Sequence, residues 1–220
     1  MIPGPANVIS CPYCEGKKEL MSLVSGNTFG GTVWSDTRRH YPMLPEVSPI
    51  QKCPHCGKYY FVEQAKSEYA ADDDTGLRSF GELGTLNYSE LKEAKEQMQH
   101  LTLTKMQRWI INHQLFMAYN DEFRRNQDNE SPVPTKEDAE IFEGTVQELL
   151  EGIDSSEDYN LFHTELLRET GMFGEAMEIL KQNRAADDRW VVEAMMKHII
   201  NRDTQPFLLI KNGNRVDLEH

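Results

Sequence analysis

The sequence predicts an α+β protein that is mostly α, in which a small N-terminal β domain precedes an antiparallel helical bundle. Up to residue 66, short apolar and β-branched runs alternate with turns rich in Gly and Pro, a pattern typical of strands. From Ser89 onward, apolar residues recur at three- and four-residue steps, which is typical of amphipathic helices. A chain of 220 residues can bury a core in one large or two small domains.

We expect three segments along the chain. Residues 1–66 form the β domain with an inserted loop, residues 67–87 form an acidic and Gly-rich linker, and residues 88–210 form the helical domain. The linker prediction rests on the run Asp72-Asp73-Asp74, because acidic stretches with few apolar residues are usually solvated. Residues 218–220 resemble a cloning scar at the start of an affinity tag, so they carry no functional inference.

All four cysteines lie in two Cys-Pro-x-Cys elements near the N-terminus. Four thiols in two close pairs are the ligand set that a tetrahedral zinc ion requires, with Zn–S bonds of about 2.3 Å. Gly57 follows the second element directly and is expected to adopt a positive φ, and Gly16 is expected to do the same in the first. The predicted ligands of a structural Zn²⁺ are Cys11, Cys14, Cys53 and Cys56.

A redox dithiol is the main alternative for these cysteines, because each element alone also matches the motif of thioredoxin-type oxidoreductases. Such a site needs a strand before the motif and a helix that starts at its first cysteine. Here the first element is followed by Glu15-Gly16-Lys17-Lys18, which reads as a turn. Zinc is therefore favoured over a redox pair, and free or disulfide-linked thiols are a third alternative. In its first 55 or so residues the chain resembles zinc-ribbon proteins.

The 38 residues between Cys14 and Cys53 are more than a minimal ribbon needs, so they contain an insertion. One interpretation is a recognition loop, in which glycines permit a close approach and Trp34 stacks on a ligand. The interpretation that we favour is structural: Trp34 and Phe29 form a small core, and Asp36 caps a turn near Arg38. His55 is expected to point away from the metal. The residues with a predicted role in ligand or partner contact are Trp34, Asp36, Arg38, Arg39 and His40.

Start and stop signals predict the individual elements. Strands are expected at 6–10, 19–25, 32–35, 50–52 and 58–62, with the second and third of these forming a hairpin. Ser89 is the predicted N-cap of the first helix, and the sequence leaves open whether residues 89–126 form one helix or two. Thr135 with Asp138 is the predicted start of the next helix. Ser155 or Ser156 is the predicted cap of the helix after it, which is expected to stop at Gly171. The last helix is expected to start near Asp187 or Asp188 and to end before Pro206, and the apolar tail at 207–210 is expected to fold back on the bundle.

Two polar residues, His113 and Asn120, fall on or beside the apolar stripe of the predicted helices. A hydrogen bond within the core is their expected role, because buried polar groups are nearly always paired.

The stretch 166–180 resembles the tetratricopeptide repeat. In that repeat a glycine ends the first helix, an aromatic residue follows two positions later, and a small residue three positions further allows close helix crossing. Gly171, Phe173 and Ala176 match these positions, whereas Thr164 and Asp188 depart from the pattern. There is no second unit at a 34-residue step. The combination of a ribbon with such helices resembles bacterial proteins of uncharacterised function, and the helix pair implies a surface for a protein partner.

Composition and motifs disfavour several classes of function for this protein. The net charge of −13 disfavours nucleic acid as a partner, because phosphate binding requires a basic surface. Catalytic motifs are lacking, and a zinc ion with four thiolate ligands has no open position for water, so an enzyme is disfavoured. The sequence shows neither a signal peptide nor an apolar span, which favours a cytoplasmic protein without membrane contact and leaves its oligomeric state open.

Three functional hypotheses follow from the sequence. The first is a zinc-stabilised scaffold that binds a protein partner. The second is a nucleic-acid-associated ribbon that uses the basic residues of the N-terminal region. The third is a hydrolase or thiol-redox enzyme with its site in residues 34–40 or in the Cys-Pro-x-Cys elements. The basic residues of the second hypothesis are Lys17, Lys18, Arg38, Arg39, Lys52 and Lys58.

Overall fold

The computed structural model describes residues 1–69, 82–126, 135–153, 160–182 and 189–216. The predicted class is confirmed, since N-terminal strands precede six helices and the described chain is mostly α. The chain divides into two compact units. The first unit comprises Met1–Phe29 and Tyr41–Ile111, and the second comprises Gly30–His40 and Asn112–His220. These units do not coincide with the predicted segments 1–66, 67–87 and 88–210, because residues 30–40 belong to the second unit and residues 88–111 belong to the first.

The described residues form eleven β-strands and six α-helices. The strands are β1 (Ile2–Pro3), β2 (Asn7–Ser10), β3 (Lys17–Leu20), β4 (Leu23–Ser25), β5 (Thr32–Trp34), β6 (Arg39–His40), β7 (Ile50–Lys52), β8 (Tyr59–Phe61), β9 (Lys66–Tyr69), β10 (Leu208–Lys211) and β11 (Asn214–Arg215). The helices are α1 (Tyr88–Met98), α2 (Lys105–Asn126), α3 (Lys136–Gly152), α4 (Asn160–Glu169), α5 (Phe173–Leu180) and α6 (Arg189–Ile200).

In the first unit, β2 is the centre of an antiparallel sheet with the order β3-β2-β9. Two smaller antiparallel pairs, β1 with β4 and β7 with β8, complete the strands of this unit. Apolar residues from β2, β3 and β8 pack around Cys11 and Cys53, so these two predicted metal ligands lie within the core of the unit, whereas Cys14 and Cys56 are exposed. The buried members of this cluster are Ile9, Cys11, Leu20, Cys53 and Tyr60.

Three strand predictions in this unit need correction. The segment 19–25 is not one strand but parts of two, β3 and β4. The predicted turn at Lys17-Lys18 is the start of β3. Residues 67–69, which were expected in the linker, belong to β9, and β9 pairs with β2. The acidic part of the linker, within 70–81, lies outside the described residues.

In the second unit, one antiparallel sheet has the order β11-β10-β5-β6. The predicted hairpin between 19–25 and 32–35 is wrong, because β5 pairs with β6 on one side and with β10 on the other. The apolar tail does fold back, but as strand β10, in which Leu208 lies opposite Trp34. Phe207 and Leu209 are buried in one core with residues of α4, α5 and α6. This pairing places residues 30–40 in the second unit.

Helix boundaries follow side-chain capping. Asn87, not the predicted Ser89, caps α1, and its side-chain oxygen accepts a hydrogen bond from the backbone N–H of Glu90. Residues 89–126 form two helices, because Thr104 and Gln107 exchange side-chain to backbone hydrogen bonds at the start of α2. The start signal of Thr135 with Asp138 is confirmed. The caps expected at 155–156 and 187–188 lie outside the described residues.

The region that resembles a tetratricopeptide repeat forms a helical hairpin of α4 and α5. Gly171 follows α4 with φ of +77°, a conformation that favours glycine. Thr164 and Ala176 are both fully buried, and Phe173 packs against the core of the second unit. The local helix pair is therefore present, and membership in the repeat family stays a prediction.

Candidate metal centre and buried ion-pair network

The two Cys-Pro-x-Cys elements fold into the same turn. In the first, the backbone N–H of Cys11 donates to the carbonyl oxygen of Gly16, and that of Glu15 donates to Cys11. In the second, Cys53 and Lys58 make the first of these bonds, and Gly57 and Cys53 make the second. Each turn also directs one backbone N–H towards the sulfur of its first cysteine at 3.4 Å. The repeated motif thus produces two matching turns, or knuckles, each with a backbone N–H directed at a cysteine sulfur.

The conformation of Gly57 is as predicted, with φ of +72°. In the first knuckle the residue with positive φ is Glu15, at +59°, and not Gly16. Gly16 is needed for a different reason, since a Cβ atom there would lie only 2.3 Å from Cδ2 of His55. The ring of His55 therefore packs closely over the first knuckle, and its Nε2 lies 3.1 Å from the carbonyl oxygen of Lys17.

The four sulfur atoms lie within 4.8 Å of one another. The Sγ–Sγ distance is 3.8 Å between Cys11 and Cys56 and 3.6 Å between Cys14 and Cys53. A tetrahedron with metal–sulfur bonds of about 2.3 Å has edges of about 3.8 Å. The spacing of the four thiols therefore fits a tetrahedral metal ion. Among the described residues this is the one group of three or more Cys, His, Asp or Glu side chains with such a spacing.

The surroundings of the centre act on the ionisation of its thiols. Burial raises the pKa of Cys53, but hydrogen bonds from the backbone N–H groups of Cys56 and His55 outweigh burial and lower that pKa to about 7. Burial, with the charge of nearby thiolates, raises the pKa of Tyr60 to about 12, so this phenol stays neutral. A metal binds the thiolate, which the lowered pKa of Cys53 favours.

Burial raises the pKa of Cys11. The backbone N–H of Gly16 lowers the pKa of Cys14, but desolvation and hydrogen bonds with the other thiols outweigh it and raise that pKa to about 12.

The residues predicted to contact a ligand or partner do not form one surface. Arg39 and His40 are exposed on β6, whereas Asp36 is fully buried. The expected core of Phe29 with Trp34 is wrong, because the side chain of Phe29 is 81% exposed. The expected turn cap is confirmed, since Asp36 accepts a hydrogen bond from the backbone N–H of Arg38 at 3.2 Å.

Asp36 has a second role that the sequence did not reveal. Its carboxylate forms an ion pair with Arg124 and accepts a hydrogen bond from Nδ2 of Asn120 at 3.1 Å. Arg124 also pairs with Asp121 at 2.6 Å, and Asp121 pairs with Arg38. The guanidinium of Arg124 lies 4.9 Å from the ring centroid of Trp34. These contacts join the β5–β6 turn to α2.

The network continues into α4. Arg168 binds both carboxylate oxygens of Glu165, at 2.9 and 2.7 Å, and all of these atoms are buried. Asn120 donates to both carboxylate oxygens of Glu169, at 3.2 and 2.9 Å, so its predicted core hydrogen bond is confirmed. Burial raises the pKa of Glu169 well above its usual range, and the nearby carboxylates of Glu165 and Asp36 raise it further.

Sequence reasoning missed the contributions of α2 and α4 to this network. A signal existed in α4, where Glu165, Arg168 and Glu169 lie three and four residues apart on a helix whose other buried positions are mostly apolar. His113 also has a polar partner, since its Nε2 lies 2.7 Å from Oγ1 of Thr37. Burial lowers the pKa of His113 to about 4, so its ring is neutral.

Four of the basic residues that could serve a nucleic-acid surface are already paired with carboxylates, and one of them is Arg38, which pairs with Asp121. Lys17 lies 2.6 Å from Glu68, and Lys18 lies 3.3 Å from Glu82. Lys52 lies 3.5 Å from a carboxylate oxygen on α1.

No protein-family model, curated protein or solved structure matches this chain. Within the described residues, every helix is too short or too polar to cross a membrane.

Proposed function

We propose that this protein is a non-enzymatic zinc-binding module whose first unit is held together by Zn²⁺ and whose surface docks a protein partner. The single observation that carries the proposal is the four-sulfur cluster with tetrahedral spacing. With Cys11, Cys14, Cys53 and Cys56 all bound, the ion would supply folding energy and would keep no position for a substrate.

The exposed apolar side chains of the first unit support the docking role. Ile2, Val24 and Phe29 are 54%, 68% and 81% exposed, and they lie on β1, on β4 and in the segment that follows β4. β1 pairs with β4, with Ile2 opposite Ser25, so Ile2 and Val24 lie on neighbouring strands. Contiguous exposed apolar side chains are typical of protein interaction surfaces. The lysine–carboxylate pairs of the same unit and the net charge of −13 favour a protein over a nucleic acid as the partner.

The proposal is tested by affinity capture with three forms of the full chain. The wild type, a Val24→Ser/Phe29→Ser variant and an Arg38→Ala/Arg39→Ala variant are compared, each with its zinc content measured. We expect the wild type to retain a defined protein that the Val24/Phe29 variant loses at unchanged zinc content. Salt-dependent binding to oligonucleotides that is lost in the Arg38/Arg39 variant would instead favour the nucleic-acid function.

Hydrolysis is a second candidate because of one observation in the 34–40 segment. Thr37 is a β-branched residue held at φ of +72°, and its hydroxyl lies 2.7 Å from Nε2 of the neutral His113. A hydroxyl next to an imidazole is the arrangement of an activated nucleophile, and strained backbone is common at active sites. Ester hydrolysis by the wild type that disappears in Thr37→Val and in His113→Gln would establish this function. Equal background rates in all three proteins would eliminate it.

A further inference from the structure

The cysteines of the metal centre differ in their exposure to solvent. Cys11 and Cys53, the first cysteines of the two knuckles, are each 1% exposed, whereas the second cysteines, Cys14 and Cys56, are exposed. A reagent in solution therefore reaches the second cysteine of each knuckle more readily than the first. Thiolates are the form of cysteine that reacts with oxidants, and exposure decides which thiolate an oxidant attacks.

Each exposed cysteine lies beside the buried cysteine of the other knuckle. The Sγ atoms are 3.6 Å apart for Cys14 and Cys53 and 3.8 Å apart for Cys11 and Cys56. The S–S bond of a disulfide is about 2.05 Å long, so the sulfur atoms of each pair need to approach by less than about 2 Å. A thiol next to an exposed cysteine is the usual arrangement of a redox-sensitive site, because it captures the oxidised sulfur as a disulfide.

A contact that involves no sulfur atom also joins the two knuckles. The ring of His55 in the second knuckle packs against Gly16 of the first, where a Cβ atom would lie 2.3 Å from the ring. The Nε2 atom of the same ring lies 3.1 Å from the carbonyl oxygen of Lys17. Because these contacts do not depend on the thiols, they favour knuckles that stay adjacent while the thiols react.

We propose that the cysteine centre is a reversible peroxide switch, in which oxidation replaces the metal by two disulfides between the knuckles. The disulfides are Cys14–Cys53 and Cys11–Cys56. Because the reduced protein must hold zinc in these four thiols, the switch rests on the proposed function. It adds to that function a chemical signal, a hydroperoxide, that releases the metal.

The reaction at each pair has two steps. The thiolate of Cys14 attacks the hydroxyl oxygen of the hydroperoxide, the O–O bond breaks, and the other oxygen leaves as hydroxide or alkoxide. Cys14 is then a sulfenic acid, and the peroxide has accepted its two electrons. The thiolate of Cys53 attacks this sulfur, the S–S bond forms, and the S–O bond breaks with loss of hydroxide. Cys56 and Cys11 consume a second peroxide in the same way, so no thiolate remains to bind a metal.

The pairing of the cysteines decides whether the first unit stays folded without zinc. The proposed disulfides join residues that are 39 and 45 positions apart, and such cross-links restrict the unfolded chain. Disulfides within a knuckle, Cys11–Cys14 and Cys53–Cys56, would each span four residues and would leave the knuckles unconnected. Disulfides between the knuckles therefore take over the joining role of the metal.

The test treats the zinc-loaded full chain with hydrogen peroxide at up to millimolar concentration. Released zinc is measured with a metallochromic dye, and disulfides are mapped by tandem mass spectrometry after the remaining thiols are alkylated. We expect release of all bound zinc, with two molecules of peroxide consumed per zinc ion, and disulfides at Cys14–Cys53 and Cys11–Cys56. Zinc binding should return after reduction with a dithiol.

The control is the same chain unfolded in urea with its zinc chelated. Cysteines of one motif then meet most often because the loop between them is short, so peroxide should produce mainly disulfides within each motif. Amide exchange in β2, β3 and β8 gives a second measurement. Protection of these strands should persist in the oxidised protein and should be lost when a chelator removes zinc from the reduced protein.

Three results would overturn the switch. They are any other disulfide pairing in the folded protein, full retention of zinc in excess peroxide, and equal loss of amide protection in the oxidised and the chelated protein. A chain that binds no zinc would overturn the proposed function as well. A zinc-loaded chain that does not react with peroxide would overturn the switch alone.

Discussion

The cysteine centre and the buried ion-pair network both bring together residues that are distant in the sequence, but the first does so through local motifs and the second through tertiary packing. The centre takes its ligands from two four-residue motifs, each of which folds locally into its own knuckle. The network takes its members from one turn and two helices, and Asp36 and Arg124 are 88 residues apart in the sequence. A repeated local motif indicates its chemistry in the sequence alone, whereas a network formed by tertiary packing has no local sequence pattern that predicts it.

With zinc bound as proposed, the two regions would also differ in what stabilises them. Metal–thiolate bonds contribute folding energy directly, and they depend on thiols that stay deprotonated. Buried ion pairs lose hydration when they form, so their net contribution is small, although removal of one partner is costly.

Replacing one ligand should have the largest effect. Cys53→Ser leaves three thiolates, and we expect loss of nearly all bound zinc together with loss of fixed structure in β2, β3 and β8. Apparent binding energies of about 10–16 kcal/mol for structural zinc explain the size of the effect. Zinc content by mass spectrometry and amide exchange in these strands measure it.

His55→Ala is the matched control for the ligand variant, because its ring packs on the first knuckle without joining the sulfur cluster. It should keep one zinc per chain. Full zinc content in Cys53→Ser, or loss of zinc in His55→Ala, would mean that the ligand set is wrong.

Breaking the network should cost less. Asp36→Asn leaves Arg124, whose side chain is 10% exposed, with one carboxylate instead of two, and we expect a loss of about 3 kcal/mol in the free energy of unfolding. Urea denaturation followed by far-UV circular dichroism measures this loss. Arg39→Gln, at an exposed position on β6 three residues away, should stay within about 0.5 kcal/mol of the wild type. Identical midpoints for the two variants would show that the network does not stabilise the second unit.

The pH dependence of stability should separate Glu169 from the rest of the network. Its pKa is higher in the folded than in the unfolded chain, so the folded state binds more protons between the two values. Stability from this group is therefore lost as pH rises from its unfolded value through its raised folded value. We expect Glu169→Gln to gain stability relative to the wild type as pH increases from 4 to 8. A difference between the two proteins that does not change with pH would contradict the raised pKa.

An exposed ion pair should have the smallest effect. Lys17 and Glu68 lie 2.6 Å apart across β3 and β9, but both side chains are 63% exposed. Solvent and salt screen such pairs, so Glu68→Gln should leave the free energy of unfolding unchanged within experimental error. The same urea titration checks this expectation in low and in moderate salt. A loss comparable to that of Asp36→Asn would remove the distinction between buried and exposed pairs.

The sequence predicted those features whose signals are local. The positive φ of Gly57, the start of α3 at Thr135 and the clustering of the four cysteines each depend on short motifs, and the fold class depends on periodicity within single elements. The partner of β5 was mispredicted because β10 follows it by more than 170 residues, and alternation alone cannot choose between edges. Asp36 looked like a turn cap, which it is, but its partners on α2 are invisible to local patterns.

X-ray absorption at the zinc edge of the purified wild-type protein tests the central claim most directly. We predict one zinc ion per chain with four sulfur neighbours at about 2.3 Å and no nitrogen or oxygen ligand. A shell that contains a light atom, such as a histidine nitrogen or a water oxygen, or a protein without bound metal would contradict the closed four-thiolate centre.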